Sequence, residues 1–158
     1  MAFELHEVAD GLWVGPCPSS PERIRTLRAR GITGLISVQT DEDLGELGMS
    51  WPLMWRFLMA QGISSQRLPI VDFDERALSR GLPEAVAAVH EMRSGGHPTY
   101  VHCTAGINRS PTVAIAYLMR HHDLELEAAW TRVTERRPSV PNRPALTRWH
   151  AAQKPLPR

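Results

Sequence analysis

The sequence predicts an α/β fold, a single domain whose central, mostly parallel sheet of about four to five strands is flanked by helices. Three observations predict it. Short β-like runs alternate with segments of helical spacing along all 158 residues. Glycine, proline and capping residues fall at the joins between them. One run, Val113-Ala-Ile-Ala-Tyr-Leu-Met119, is apolar almost throughout, which suits a helix buried at the centre of such a fold.

Leu12-Trp-Val-Gly15 reads as a strand. Ser20-Pro21-Glu22 then supply an N-cap, a proline at the first helical position and an acid in the first turn. The helix they open turns Ile24 and Leu27 inward and stops near Gly31. Gly34-Leu-Ile-Ser-Val38 is the next strand. Trp51 to Gln61 has an early proline and a broad apolar face, so it forms a helix that leads into a strand expected around Arg67 to Ile70. Leu82, Val86, Val89 and Met92 recur at helical spacing until Gly95-Gly96 ends the run. Thr99 to His102 is the last strand, and it delivers the chain into the loop Cys103 to Arg109 ahead of the apolar helix. There are no internal repeats or low-complexity segments, so one domain is expected over 1–154, with 155–158 as a frayed tail.

Lys+Arg 18 against Asp+Glu 17 gives a formal net charge of +1, so no global field draws in nucleic acid or an anionic membrane. Any anion must be bound locally. Every apolar stretch is interrupted well before the length of a membrane span. The cysteines are Cys17 and Cys103, with no basic-then-apolar leader ahead of them, and a monomer in a reducing cytoplasm is expected. Lys154 is the only lysine among many arginines, which points to a GC-rich, bacterial source.

The loop His102-Cys-Thr-Ala-Gly-Ile-Asn-Arg-Ser110 lies where ligands collect in such sheets, at the C-terminal end of a strand facing the start of a helix. Thr104, Ala105, Gly106, Ile107 and Asn108 are small or uncharged, and none is proline. Their N–H groups can therefore curl inward as an anion nest. Arg109 closes the ring with a fork suited to two phosphate oxygens. Inside it the helix dipole, the amides and the guanidinium favour a thiolate at Cys103. A thiolate beneath a phosphoryl group is a nucleophile, and the product of its attack is a phosphocysteine. Ser110 can hydrogen-bond the sulfur and make it a better leaving group in the second step. His102 orders the loop by hydrogen bonding rather than acting as a base.

A second segment tests that reading. Cys17-Pro-Ser-Ser-Pro-Glu-Arg23 has the same cysteine-to-arginine spacing and also precedes a helix. Its two prolines remove donors, it contains no glycine, and Glu22 repels phosphate. Cys17 is therefore read as a turn residue, with a redox partnership with Cys103 as the alternative. The leaving oxygen also needs a proton from outside the loop. Asp72 and Asp74 in Leu68-Pro-Ile-Val-Asp-Phe-Asp-Glu75 stand just past an expected strand end; Asp72 is preferred, although the residues alone barely separate them.

His102 to Ser110 resembles the signature loop of cysteine-dependent protein tyrosine phosphatases, and the short chain resembles their dual-specificity branch. The similarity runs from about Asp10 to Trp149. Within the branch the chain is similar to plant phosphoglucan (starch-excess type) phosphatases through Val38-Gln-Thr-Asp-Glu-Asp-Leu44, Asp72-Phe-Asp74, Tyr100 to Gly106 and Glu135-Arg-Arg-Pro-Ser-Val-Pro-Asn142. The resemblance implies that Asp72 is the general acid and that Phe73 lies beside the substrate. Asn108 and Ser110 flank Arg109 where the plant enzymes usually carry glycine and alanine, so phosphatase chemistry is implied more firmly than a glucan substrate.

The neutral loop positions argue against inositol polyphosphates. Trp51, Trp55 and Phe73 are candidates for an aromatic wall against a sugar or phosphotyrosine ring, the other reading being core. Arg132, Arg136, Arg137, Arg143 and Arg148 either steer anionic substrates or form a solvated face. His121-His122 lacks the partners of a metal site, and the chemistry calls for no metal or other cofactor. The expectation is a phosphomonoester hydrolase acting through Cys103, Arg109, Asp72 and Ser110 on phosphoproteins, with a phosphoglucan as the alternative substrate. A non-catalytic phosphate-binding module is the competing class.

Overall fold

The computed structural model describes residues 2–157. Five strands, β1 (His6–Ala9), β2 (Leu12–Gly15), β3 (Gly34–Ser37), β4 (Ser64–Arg67) and β5 (Thr99–His102), form one sheet in the order β1-β2-β5-β3-β4. Only the β1–β2 hairpin is antiparallel; β2, β5, β3 and β4 run parallel, with Gly15 and Ser37 both level with His102. The mostly parallel sheet expected from the sequence is therefore present, and β1 is an addition that the sequence reading passed over.

Successive strand residues feed opposite faces. Leu35 and Tyr100 point into a core shared with α1 (Pro21–Ala29), α2 (Asp41–Glu46) and α3 (Trp51–Ala60), through Ile24, Leu27, Leu44, Met54 and Leu58. Ile36 and Val101 point the other way, into a larger core with α4 (Glu75–Ser94), α5 (Arg109–His121), α6 (Leu126–Arg136) and α7 (Arg143–Ala151). Every residue of α5 from Arg109 to Met119 is buried, as its apolar run predicts. Met92 packs against the edge of that core, while Leu82, Val86 and Val89 lie inside it. After Ala151 the described chain has no regular element, although the Lys154 carbonyl accepts from Arg120; Arg158 of the expected tail lies outside the described residues.

One strand is displaced. The sequence places it around Arg67 to Ile70, whereas β4 is Ser64–Arg67. It is an edge strand, paired only with β3, so its polar Ser-Ser-Gln-Arg carries no hydrophobic signal. Leu68 and Ile70 still donate to Ser37 and Val38, but Pro69 has no N–H and ends the ladder. The chain then leaves the sheet at the height of the Cys103 loop, which is why Asp72 reaches it. Short α2 escaped the sequence reading as well: Thr40 and Asp43 close a capping box around it.

Candidate active site

β5 carries His102 to the top of the sheet, and the chain turns into α5 through residues 103–108. Gly106 makes the turn at φ +70. A Cβ there would come within 2.4 Å of the Gly15 backbone and 2.6 Å of Arg137 Nη2, so both space and conformation demand glycine. No side chain caps α5, because Asn108 turns its amide away to the Val140 carbonyl at 2.8 Å. The N-terminal end of the helix dipole therefore faces the loop unmasked.

Cys103 is 3% exposed at the floor of this loop, with Ser110 Oγ 3.3 Å from its sulfur. Arg109 is 1% exposed and is held in place from several sides. Nη1 donates to Asp43 Oδ2 at 2.7 Å and to the Ile70 carbonyl at 2.7 Å. Nη2 donates to Thr104 Oγ1 at 3.2 Å and pairs with Asp72 Oδ2 at 3.2 Å. Its Nε is buried with no partner among the described residues. A rigid guanidinium with an unspent, buried N–H is preorganised for an oxyanion.

Asp72, the preferred acid, and Asp74, which the residues alone barely separate from it, have different tasks. Asp74 Oδ1 accepts from Ala77 N at 2.9 Å and caps α4. Asp72 accepts from Phe73 N with one oxygen and meets Arg109 with the other. Between them Phe73 adopts φ 56, a costly conformation for a bulky residue, and its ring is 98% exposed over the depression that holds Asp72, Thr104 and Ala105. Thr104, Ala105 and Ile107 form the accessible rim of the loop.

His102 does not share the open face of the loop with Thr104, Ala105 and Ile107. It is fully buried behind the loop, with Nδ1 2.9 Å from the Cys103 carbonyl. Burial lowers its pKa to about 4, despite the Cys103 hydrogen bond, so the ring is neutral at pH 7 and must carry its proton on Nδ1 to donate to that carbonyl. It holds the Cys103 carbonyl from behind the loop. The Asn108 side chain likewise serves Val140 instead of the loop interior.

Three residues of the site were not read as such from the sequence. Asp43 holds Arg109: burial pushes its carboxyl up, but the bonds from Arg109 and Thr40 outweigh that and keep it below the ordinary range. The Thr-x-x-Asp spacing of its capping box was the available signal. Gln39 Nε2 donates to Thr104 Oγ1 at 3.0 Å. Arg137, counted with a basic surface, is instead 5% exposed. It donates to the carbonyls of Gly106 at 2.7 Å and Ala105 at 3.1 Å, and so turns the loop carbonyls outward. Nothing in the run Arg132 to Arg148 singles it out. Arg143 and Arg148 lie by Glu127 and Glu75 at the surface, and neither Trp51 nor Trp55 lines the depressions beside the loop.

The residues expected as nucleophile, phosphate cradle and acid thus meet in one place. Residues 12–151 match the family model described as dual specificity phosphatase, catalytic domain. The chain belongs to that family. As a member it is 32% identical over 149 residues to the amyloplastic phosphoglucan phosphatase DSP4 of Castanea sativa, covering 92% of this chain and 40% of the relative. It is 29% identical over 139 residues to human dual specificity protein phosphatase 12, covering 88% of this chain and 38% of the relative. The chain therefore spans less than half the length of these two curated relatives. The fold is shared with the crystal structure of the human tyrosine phosphatase-like serine/threonine/tyrosine-interacting protein, at TM-score 0.77 and 24% identity, with 95% of each chain covered.

Proposed function

We propose that this dual-specificity phosphatase domain hydrolyses phosphomonoesters of proteins, phosphotyrosine foremost, as a monomer whose reacting groups all come from one chain. The observation that carries the reading is Arg109, at the end of the loop that begins with Cys103, held between Asp43 and Asp72. An incoming phosphoryl group occupies the loop amides and Arg109, displacing the Asp72 carboxyl toward the leaving oxygen. The Cys103 thiolate attacks phosphorus; an S–P bond forms, the P–O ester bond breaks, and Asp72 gives its proton to the departing alkoxide or phenoxide. Water then attacks the phosphocysteine and gives Asp72 its proton, while the sulfur leaves as a thiolate stabilised by Ser110. The two free cysteines support placement in a reducing compartment such as the cytoplasm.

A second reading, a phosphoglucan substrate, is favoured by the Castanea sativa relative and by the exposed Phe73 ring beside the acid. Phosphate release from phosphotyrosine peptides, phosphothreonine peptides and phosphorylated amylopectin, each against Cys103→Ser, decides between them. The proposal expects the peptides to be turned over faster; preferential release from the glucan overturns it.

A further inference from the structure

The rim formed by Thr104 and Ala105 separates two depressions. One, of about 670 Å³, runs to Asp72 and Phe73 and is walled by the acidic residues of α2, Asp41, Glu42, Asp43 and Glu46. The other, of about 430 Å³, opens on the opposite side of the same rim, and beyond the loop residues Thr104, Ala105 and Ile107 and their supports Cys17 and Arg137 the hydrolysis uses none of its lining. Pro16, Leu47, Ala105, Ile107 and Pro138 give it an apolar wall, and Glu4, His6, Arg23 and Arg137 line it as well. Leu47 and Ile107 remain 42% and 40% exposed, apolar surface left open beside a polar site.

The cations nearby are engaged within the protein. Arg137 donates to Ala105, Gly106 and the Glu4 carbonyl and approaches His6 Nδ1 at 3.1 Å. Arg23 lies over the Phe3 ring at 5.2 Å. Burial, with Arg137 beside it, holds His6 below its ordinary pKa against the opposite pull of Glu4. A second phosphate would have to draw these groups off their partners. An apolar group has only to cover Leu47 and Ile107. The volume falls in the range of pockets that enclose a side chain or a small ligand.

We propose that this depression is a subsite for a bulky apolar side chain next to the phosphorylated residue of a peptide, with basic residues preferred on the opposite flank over α2. The inference rests on the phosphoprotein reading above. An extended peptide crossing the rim advances about 3.3 Å per residue, so a neighbour one or two positions from the phosphoresidue reaches Leu47 while the other end meets the α2 carboxylates.

The test compares kcat/KM on three phosphotyrosine peptides that differ only beside the phosphotyrosine, with alanine, leucine or phosphothreonine there. p-Nitrophenyl phosphate, too small to span both sites, is the reference. The leucine peptide is expected to exceed the alanine peptide by about tenfold, the order for burying one aliphatic side chain. Leu47→Asp should cut that ratio below about threefold and leave the reference rate within about twofold; Leu47→Ala should give a smaller cut in the same direction. Equal rates for the alanine and leucine peptides, preference for the doubly phosphorylated peptide, or a parallel fall on every substrate in both variants overturns the subsite. Failure of the phosphoprotein reading looks different: all three peptides would then be slower than phosphorylated amylopectin whatever the neighbour, and the subsite falls with it.

Discussion

The segments Cys17 to Arg23 and Cys103 to Arg109 share a spacing, a buried cysteine and a helix that follows, yet the fold gives them opposite uses. At α1 the Ser20 hydroxyl accepts from Arg23 N at 3.1 Å, so the helix end is already satisfied by its own chain. At α5 no side chain caps the start, and Gly106 bends the loop so that its carbonyls go to Arg137. Arg109 is drawn inward by Asp43, Asp72 and the Ile70 carbonyl, whereas Arg23 lies over Phe3. Burial pushes the Cys17 thiol up to about 12, against a hydrogen bond with Gln39 and the charge of Arg23, so it stays protonated. The comparison teaches that an anion site is a helix start left unsatisfied on purpose, and that cysteine-to-arginine spacing is only its outline. Cys17 still has a part in the site, because its N–H donates to the Thr104 carbonyl at 3.0 Å.

The largest contrast is at the sulfurs. Cys103→Ser should lower kcat on p-nitrophenyl phosphate by at least about 10⁴-fold, as loss of a nucleophile does elsewhere. Cys17→Ser should keep the rate within about threefold. Comparable losses in the two variants would erase the distinction.

The arginines come next. Arg109→Lys removes the fork while keeping the charge, and kcat/KM should fall by about 10² to 10³. Arg23→Lys should change the same constant by less than about twofold. The glycine then separates bending from charge: Gly106→Ala forces a Cβ against Gly15 and should cost about 1–3 kcal/mol of stability in urea unfolding, with at least about a tenfold loss of kcat. A variant as stable and active as the parent would show that the loop does not need its positive φ.

The last contrast concerns pH and centres on the Cys103 loop. Unfolded, the His102 ring takes a proton near the ordinary 6.5; folded, only near 4. Stability is therefore fully present above about pH 6.5 and lost as pH falls toward 4, by about 3 kcal/mol. His121, lowered to about 4 mainly by burial and then by His90, shifts in the same direction, so the readout is the difference between the protein and His102→Gln across that window. The variant should show the shallower slope; identical slopes would contradict a buried neutral His102.

These contrasts also show what a chain can say about itself. The Cys103 loop, Arg109, Ser110 and the buried α5 were legible because each follows from a local rule: small residues, no proline, continuous apolar spacing. Asp72 was preferred over Asp74 with little local support, since both are turn carboxylates until tertiary structure gives Asp74 a helix to cap and Asp72 an arginine to meet. β4 was misplaced because a polar edge strand lacks a hydrophobic pattern. Arg137 was lost among neighbouring arginines, because burial of one charge in a run of charges is decided by carbonyls more than thirty positions away.

The most direct test of the central claim is a rapid acid quench with ³²P-labelled phosphotyrosine peptide, followed by mapping of the labelled thiol. A phosphocysteine on the Cys103 peptide, formed and lost at rates consistent with turnover and lasting longer in Ser110→Ala, is the predicted result. Label on the Cys17 peptide, or full turnover with no labelled cysteine, would contradict the account.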